Sequence, residues 1–453
     1  MELRKYQEDI ATRACNVLHQ LGIVYIAAEV RTGKSLMALE TCRLFGAKKV
    51  LFLTKKKAIK SVSDDYSNFL YSKWFDIVII NDESMHTLKD NDFDVVIYDE
   101  SHRHGSFPKP GKYTKEFKAR FSKLPMIFLS GTPHPETVTQ IFHQFWVSDN
   151  SPFRQYKSFY QWFTGTGLVR CQFNHGYGLV TDYSNTKDAI YKYFAAKIRE
   201  ISKSNPEYSR LYSGIVAERN QALELMEIAI NRINATIKPY MITFTQSEAG
   251  FETKVEEHVL ICEMKESTYK LINRLKRDKV VEGKSEVILA DTAVKLMGKI
   301  HQLSSGTIKF ESGKTMVIDH SKAEFIKDRF KSKKIGIFYK FVAEYQALKD
   351  VYGDGLTNDI DEFNSTGKNI ALQIVSGREG ISLKNADVLV FYNIDFSSTS
   401  YWQARDRMST MQRLNNDVYW VFSDRGIEQD IYKTVLGKKS YTLSVFSKGY
   451  GRK

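Results

Sequence analysis

A short β-branched run, Ile23-Val24-Tyr25-Ile26-Ala27, passes into Ala28-Glu29-Val30-Arg31-Thr32-Gly33-Lys34-Ser35, and a helix-forming stretch from Leu36 to Cys42 follows. An uninterrupted apolar strand needs both faces covered, so it belongs inside a parallel sheet. Gly33 lets the backbone approach an anion, and the first turn of the helix points its N–H groups and positive dipole end at it. Strand, loop and helix with Gly-Lys-Ser at the turn form the pattern of a phosphate-binding loop. Lys34 would reach the β- and γ-phosphates of a nucleoside triphosphate, and the Ser35 hydroxyl would ligate Mg2+. The first glycine usual in such loops is Ala28 here.

Asp94-Val95-Val96-Ile97-Tyr98 is a second buried-strand run, and it ends in Asp99-Glu100-Ser101-His102. Parallel sheets hold ligands at the carboxyl ends of their strands. Two carboxylates there suit two tasks: Asp99 to hold magnesium and Glu100 to orient and deprotonate a water. A third strand, Met126 to Leu129, leads into Ser130-Gly131-Thr132-Pro133, whose small hydroxyl residues are placed to hydrogen-bond the acidic pair.

The 453 residues are 42% hydrophobic and only 8 are proline, which excludes a disordered chain. No apolar run reaches the roughly 18 residues of a membrane span, and no secretory signal follows the charged start. Cys15, Cys42, Cys171 and Cys262 are too widely spaced for a zinc site and suit free thiols in a reducing cytoplasm, that of a host cell for a viral chain. The net charge of +13 points to a polyanionic partner or to ordinary solubility.

Taken in order, Leu3-Arg4-Lys5-Tyr6-Gln7, Glu29 to Ser35, Asp99 to His102 and Ser130 to Pro133 resemble the motifs of superfamily 2 helicases. The likeness is strongest to the Swi/Snf-type branch, in a compact form similar to those carried by bacteriophages. It continues through Ile374 to Leu383, with Ala386-Asp387, and through Gln403-Ala404-Arg405-Asp406-Arg407. The resemblance implies that Gln7 contacts adenine, that Gly33, Lys34, Ser35 and Gly380 bind ATP, and that Ser376 contacts nucleic acid. Thr54 and Lys55 lie nearest the family's backbone-contacting motif. Arg407 matches the first arginine of the last motif and is the first choice of finger. The second falls on Thr410, which leaves Arg405 and Arg413 as substitutes.

The resemblance also implies an α/β fold of two RecA-like lobes, parallel sheets flanked by helices, with helical insertions between them. The expected bounds are 1–150 for an ATP-binding lobe, 151–309 for the helical insertions and 310–453 for a second lobe. Ala217 to Ile237, Met264 to Arg277 and Ala290 to Leu303 carry helical periodicity. The aromatics Phe153, Tyr156, Phe159, Tyr160, Trp162 and Phe163 read as a packing stripe in preference to a base-stacking platform. The expectation is a monomeric ATP- and Mg2+-dependent DNA translocase or helicase that binds ATP between its lobes. The alternatives are an RNA helicase and a catalytically weakened nucleic-acid-binding module.

Overall fold

The computed structural model describes residues 2–89, 91–133, 137–174, 178–201, 205–250, 254–283, 286–374, 383–396 and 415–436. The chain divides into two compact units, Met1–Ala249 and Gly250–Lys453.

The first unit contains strands β1 (Ile23–Ala28), β2 (Lys49–Leu53), β3 (Asp76–Ile80), β4 (Val95–Asp99) and β5 (Met126–Leu129), a hairpin of β6 (Cys171–Asn174) and β7 (Leu179–Asp182), and β8 (Met241–Phe244). One six-stranded sheet runs β3-β2-β4-β5-β1-β8 and is parallel throughout. Its strands are apolar without alternation because both faces are covered. Val24, Ile26, Val50, Phe52, Ile97 and Ile127 join one core with Ile10, Leu18, Met37 and Leu39 from the helices Lys5–Leu21 and Lys34–Phe45. Tyr25, Leu51, Val96, Tyr98 and Phe128 point the other way, into a core with Phe117, Phe142, Trp162 and Ile233.

The second unit adds β9 (Lys254–Cys262), two small hairpins formed by β10 (Val280–Glu282) with β11 (Val287–Leu289) and β12 (Thr307–Lys309) with β13 (Thr315–Val317), then β14 (Ile335–Tyr339), β15 (Leu356–Thr357), β16 (Asn369–Gln373), β17 (Val388–Phe391) and β18 (Asn415–Ser423). Its sheet, β15-β16-β14-β17-β18-β9, is again six-stranded and parallel. Both units thus have the parallel-sheet, helix-flanked architecture expected of RecA-like lobes. A fully buried ion pair, Lys322 Nζ to Glu428 Oε1 at 2.7 Å, ties the helix Ser321–Arg329 to the helix Glu428–Leu436 in this unit, and Lys322 also donates to the Tyr392 carbonyl.

The expected helices form as Tyr208–Ile237, Glu266–Asp278 and Ala293–Ser304. The stretch 151–309, however, is divided between the units instead of standing apart. Phe153, Phe159, Ile233 and Ile237 join the first unit's core, and β8 extends its sheet. Ile272, Leu275, Ile300 and Leu303 pack with Phe391 and Trp420, and β9 extends the second sheet. These segments follow their apolar faces into the nearer sheet core, while Cys171, Ile190, Phe194, Ala222 and Met226, from β6 and the helices Lys187–Glu200 and Tyr208–Ile237, form a small core of their own.

The aromatic stripe is core. Phe153, Phe159, Trp162 and Phe163 are buried, and Trp162 packs tilted against Phe142 at 5.0 Å and edge-on against Phe153 at 5.5 Å. Trp162→Ala is expected to destabilise the first unit by about 3–5 kcal/mol, through lost burial and a residual cavity. Thermal and denaturant unfolding of the full chain measure this; a change below 1 kcal/mol would contradict the packing role.

Candidate nucleotide site

The pairing register brings three loops to one edge of the first sheet. Ile26 pairs with Leu129, Leu129 with Asp99, and Ala28 with Phe244, so the loops after β1, β4 and β5 leave side by side. Gly33 caps the helix Lys34–Phe45 in the left-handed region, at φ 85°. A Cβ there would lie 2.2 Å from the movable Gln7 amide nitrogen, and the left-handed φ is what favours glycine. The Lys34 ammonium donates to the Ala28 carbonyl at 2.9 Å and to the Glu29 carbonyl at 3.3 Å. The Thr32 hydroxyl donates to the same Glu29 carbonyl at 2.8 Å. Gly131, in the loop after β5, lies against this loop: a Cβ on it would be 3.8 Å from Lys34 Nζ.

Asp99 and Glu100 are held in unlike environments. The Thr54 hydroxyl donates to Asp99 Oδ2 at 2.8 Å, and Glu100 adopts a left-handed conformation at φ 53° that turns its side chain away from the strand line. Burial, with the neighbouring Glu100 charge, pushes the Asp99 carboxyl above its ordinary range, while Thr54, Lys34 and Arg103 pull the other way. Burial also opposes the Glu100 charge, but His102, Lys34 and Lys55 outweigh it and hold that carboxyl below its usual range. The Lys34 charge is therefore felt by both carboxylates. His102 Nδ1 lies 3.0 Å from the Ser130 hydroxyl and 3.2 Å from Glu100 Oε2. The Thr132 amide donates to the Ser130 oxygen at 3.1 Å.

A buried relay beneath the edge fixes the loops to one another. The Ser101 hydroxyl donates to Tyr25, Tyr25 donates to Gln144 Oε1, both at 2.7 Å, and the Gln144 amide reaches the Pro133 carbonyl. Arg103 pairs with Asp82 at 2.8 Å, and Tyr98 donates to the same carboxylate.

On the far side of the loop after β1, Gln7 accepts from the Arg4 amide at 3.0 Å and donates to the Thr32 carbonyl at 3.4 Å. The Tyr6 hydroxyl donates to that carbonyl too, and its ring stacks on Phe244 at 5.0 Å. Gln246, just past β8, donates its backbone N–H to Glu29 Oε2 at 2.7 Å and its side-chain amide to the Val30 carbonyl at 2.8 Å. Sequence reasoning missed Gln246 and Phe244 because neither belongs to a motif; only the β8–β1 pairing brings them here.

The structure thus gathers Gln7, Gly33, Lys34, Ser35, Asp99 and Glu100 at one edge of the first unit. Thr54 needs correction as a nucleic-acid contact: it is fully buried, and its hydroxyl is committed to Asp99. Lys55, next to it and just past the strand end, is half-buried. His104 is also buried, against Thr114, and burial with the Arg103 charge lowers its pKa to about 3. Ser376, Gly380, Arg405, Arg407, Thr410 and Arg413 lie outside the described residues.

The residues present fit a Mg2+–nucleotide ligand. Glu100 Oε2 and Thr132 Oγ1 are buried without a hydrogen-bond partner among the described residues. An acidic pair whose burial opposes its charge, flanked by hydroxyls, is an all-oxygen donor set of the kind hard divalent cations take. No protein-family model and no curated protein sequence matches the chain. Solved structures of the SWI2/SNF2 ATPase core of Sulfolobus solfataricus are similar to it. One, in complex with dsDNA, is 15% identical over 99% of this chain and 92% of that one, with a TM-score of 0.39. The other, the ATPase core domain, is 14% identical over 100% and 93%, also with a TM-score of 0.39.

Thr54→Val, which keeps shape but removes the donor to the Asp99 carboxylate, is expected to raise the Asp99 midpoint by about one pH unit. The 13C carboxyl shifts of aspartate-labelled protein followed through a pH titration report this. A midpoint that stays put or falls would show that the hydroxyl does not stabilise the charge.

Proposed function

We propose that the chain is a nucleic-acid-dependent ATPase that moves along DNA. The observation that carries the reading is the convergence of Lys34 with Asp99 and Glu100 at one sheet edge, where the lysine charge acts on both carboxylates. In this reading Gly33, Lys34 and the helix N-terminus cradle the phosphates, and Gln7 serves the adenine. Ser35 and Asp99 would hold Mg2+, which when bound supplies neutralisation of phosphate charge. Glu100, held ionised, is in the right state to orient a water and take its proton. His102 and Ser130 carry the position of Glu100 to the loop after β5. Arg407 is assigned the finger role, with Gly380 on nucleotide and Ser376 on nucleic acid, on the motif resemblance. Lys55 contributes a phosphate contact that binds without reading sequence. No helix of the described residues is long and apolar enough to cross a membrane.

Lys34→Ala and Glu100→Gln are each expected to lower ATP turnover by about 10²-fold or more while leaving duplex binding intact. Steady-state hydrolysis with duplex DNA, single-stranded DNA or RNA, beside binding isotherms, tests this. Unchanged turnover in both variants would remove the site assignment, and stronger stimulation by RNA than by DNA would reassign the substrate.

Lys55→Ala is expected to weaken duplex binding and to reduce the slope of log K against log salt by about 0.9. Equilibrium titrations at several salt concentrations measure it; an unaltered slope would place Lys55 off the phosphate backbone.

A further inference from the structure

The last segment of the first unit is bonded to the phosphate-binding loop at three points around one residue. The Glu29 N–H donates to the Phe244 carbonyl at 2.9 Å, the Glu29 carboxylate accepts from the Gln246 N–H at 2.7 Å, and the Val30 carbonyl accepts from the Gln246 side chain at 2.8 Å. Five residues beyond Phe244 the first unit ends, at Ala249, and the chain enters the second. The Glu29 carbonyl is also one of the two that receive the Lys34 ammonium. A triphosphate is a charged acceptor for the remaining donors of that ammonium and holds it in place against the Glu29 carbonyl. A nucleotide therefore acts directly on the residue that anchors the connecting segment.

We propose that Glu29 and Gln246 are positioning residues that couple the nucleotide to the connection between the units: phosphate at the loop orders residues 244–249. The inference rests on the ATP-binding reading above. Its direction follows from ordering. Phosphate contacts along the loop fix Glu29 and Val30, and fixed partners lower the entropic cost of the Gln246 bonds. By reciprocity, loss of the link can weaken nucleotide affinity by no more than the factor through which nucleotide orders the segment.

Hydrogen exchange of full-length protein across 241–250, with Mg2+ and with or without a non-hydrolysable ATP analogue, tests the coupling because the Gln246 amide is itself one of the bonds. In the wild type the analogue is expected to slow exchange there tenfold or more. In Glu29→Ala and in Gln246→Ala the slowing is expected to drop below threefold, and Glu29→Gln, which keeps an acceptor, is expected to restore it. Affinity for the analogue should fall in either alanine variant by no more than the factor of slowing measured in the wild type. Gln246→Ala alters a side chain outside every core cluster and serves alone should Glu29→Ala fail to fold. A wild type that binds the analogue without altered exchange at 241–250 overturns the coupling and leaves the ATPase reading standing. So does a loss of affinity in Gln246→Ala larger than the wild-type slowing, which would make Gln246 a plain structural support. A wild type that does not bind the analogue removes both.

Discussion

The parallel register of the first sheet is the constraint on which the rest of the site depends. Strands that all run one way must leave their carboxyl ends on one edge, and here Asp99 and Leu129 end in register with Ile26, two residues before the end of β1 at Ala28. The loops that follow carry the lysine, the acidic pair and the hydroxyl residues. Their backbones have little freedom, because alternate strand residues are committed to opposite cores. The relay Ser101–Tyr25–Gln144 then locks β1 to the loops after β4 and β5 from below. Buried hydrogen bonds of this kind are costly to leave half-made, so the three loops are set as a group.

Much of this was legible in the sequence because it is written locally. Buried parallel strands show as continuous apolar runs, and Ile23 to Ala27, Val95 to Tyr98 and Met126 to Leu129 all read that way. The chemistry at their ends follows from Lys34, Asp99 and Glu100 standing where such strands stop. What escaped was set by long-range pairing. β8 has only four residues, and β9 interrupts its apolar residues with Lys254, Glu256, Glu257 and His258, so neither announced itself as a sheet strand. Both nonetheless extend sheets, and they split the region expected to be one insertion. Thr54 was misplaced for a related reason: its position at a strand end is readable, but the buried partner that claims its hydroxyl comes from β4, 45 residues away.

The acidic pair shows how adjacent carboxylates acquire different states. Both are buried and both feel Lys34, yet Asp99 is pushed toward protonation while His102 and Lys55 help keep Glu100 charged. Neighbouring residues of one strand end point to different surroundings because Glu100 takes a left-handed backbone turn. The different charge states of adjacent carboxyls thus arise from backbone geometry as much as from residue type.

The Lys322–Glu428 pair bears on how far the second unit tolerates trimming. Removing one member of a wholly desolvated ion pair leaves its partner charged in an apolar interior, at about 3–5 kcal/mol, a large share of a domain's margin. Its two members lie 106 residues apart, so a fragment that stops ahead of Glu428 strands an ammonium under the sheet even though most strands are present. Shortened versions of this unit therefore have a hard limit at their carboxyl side, set by one distant lysine.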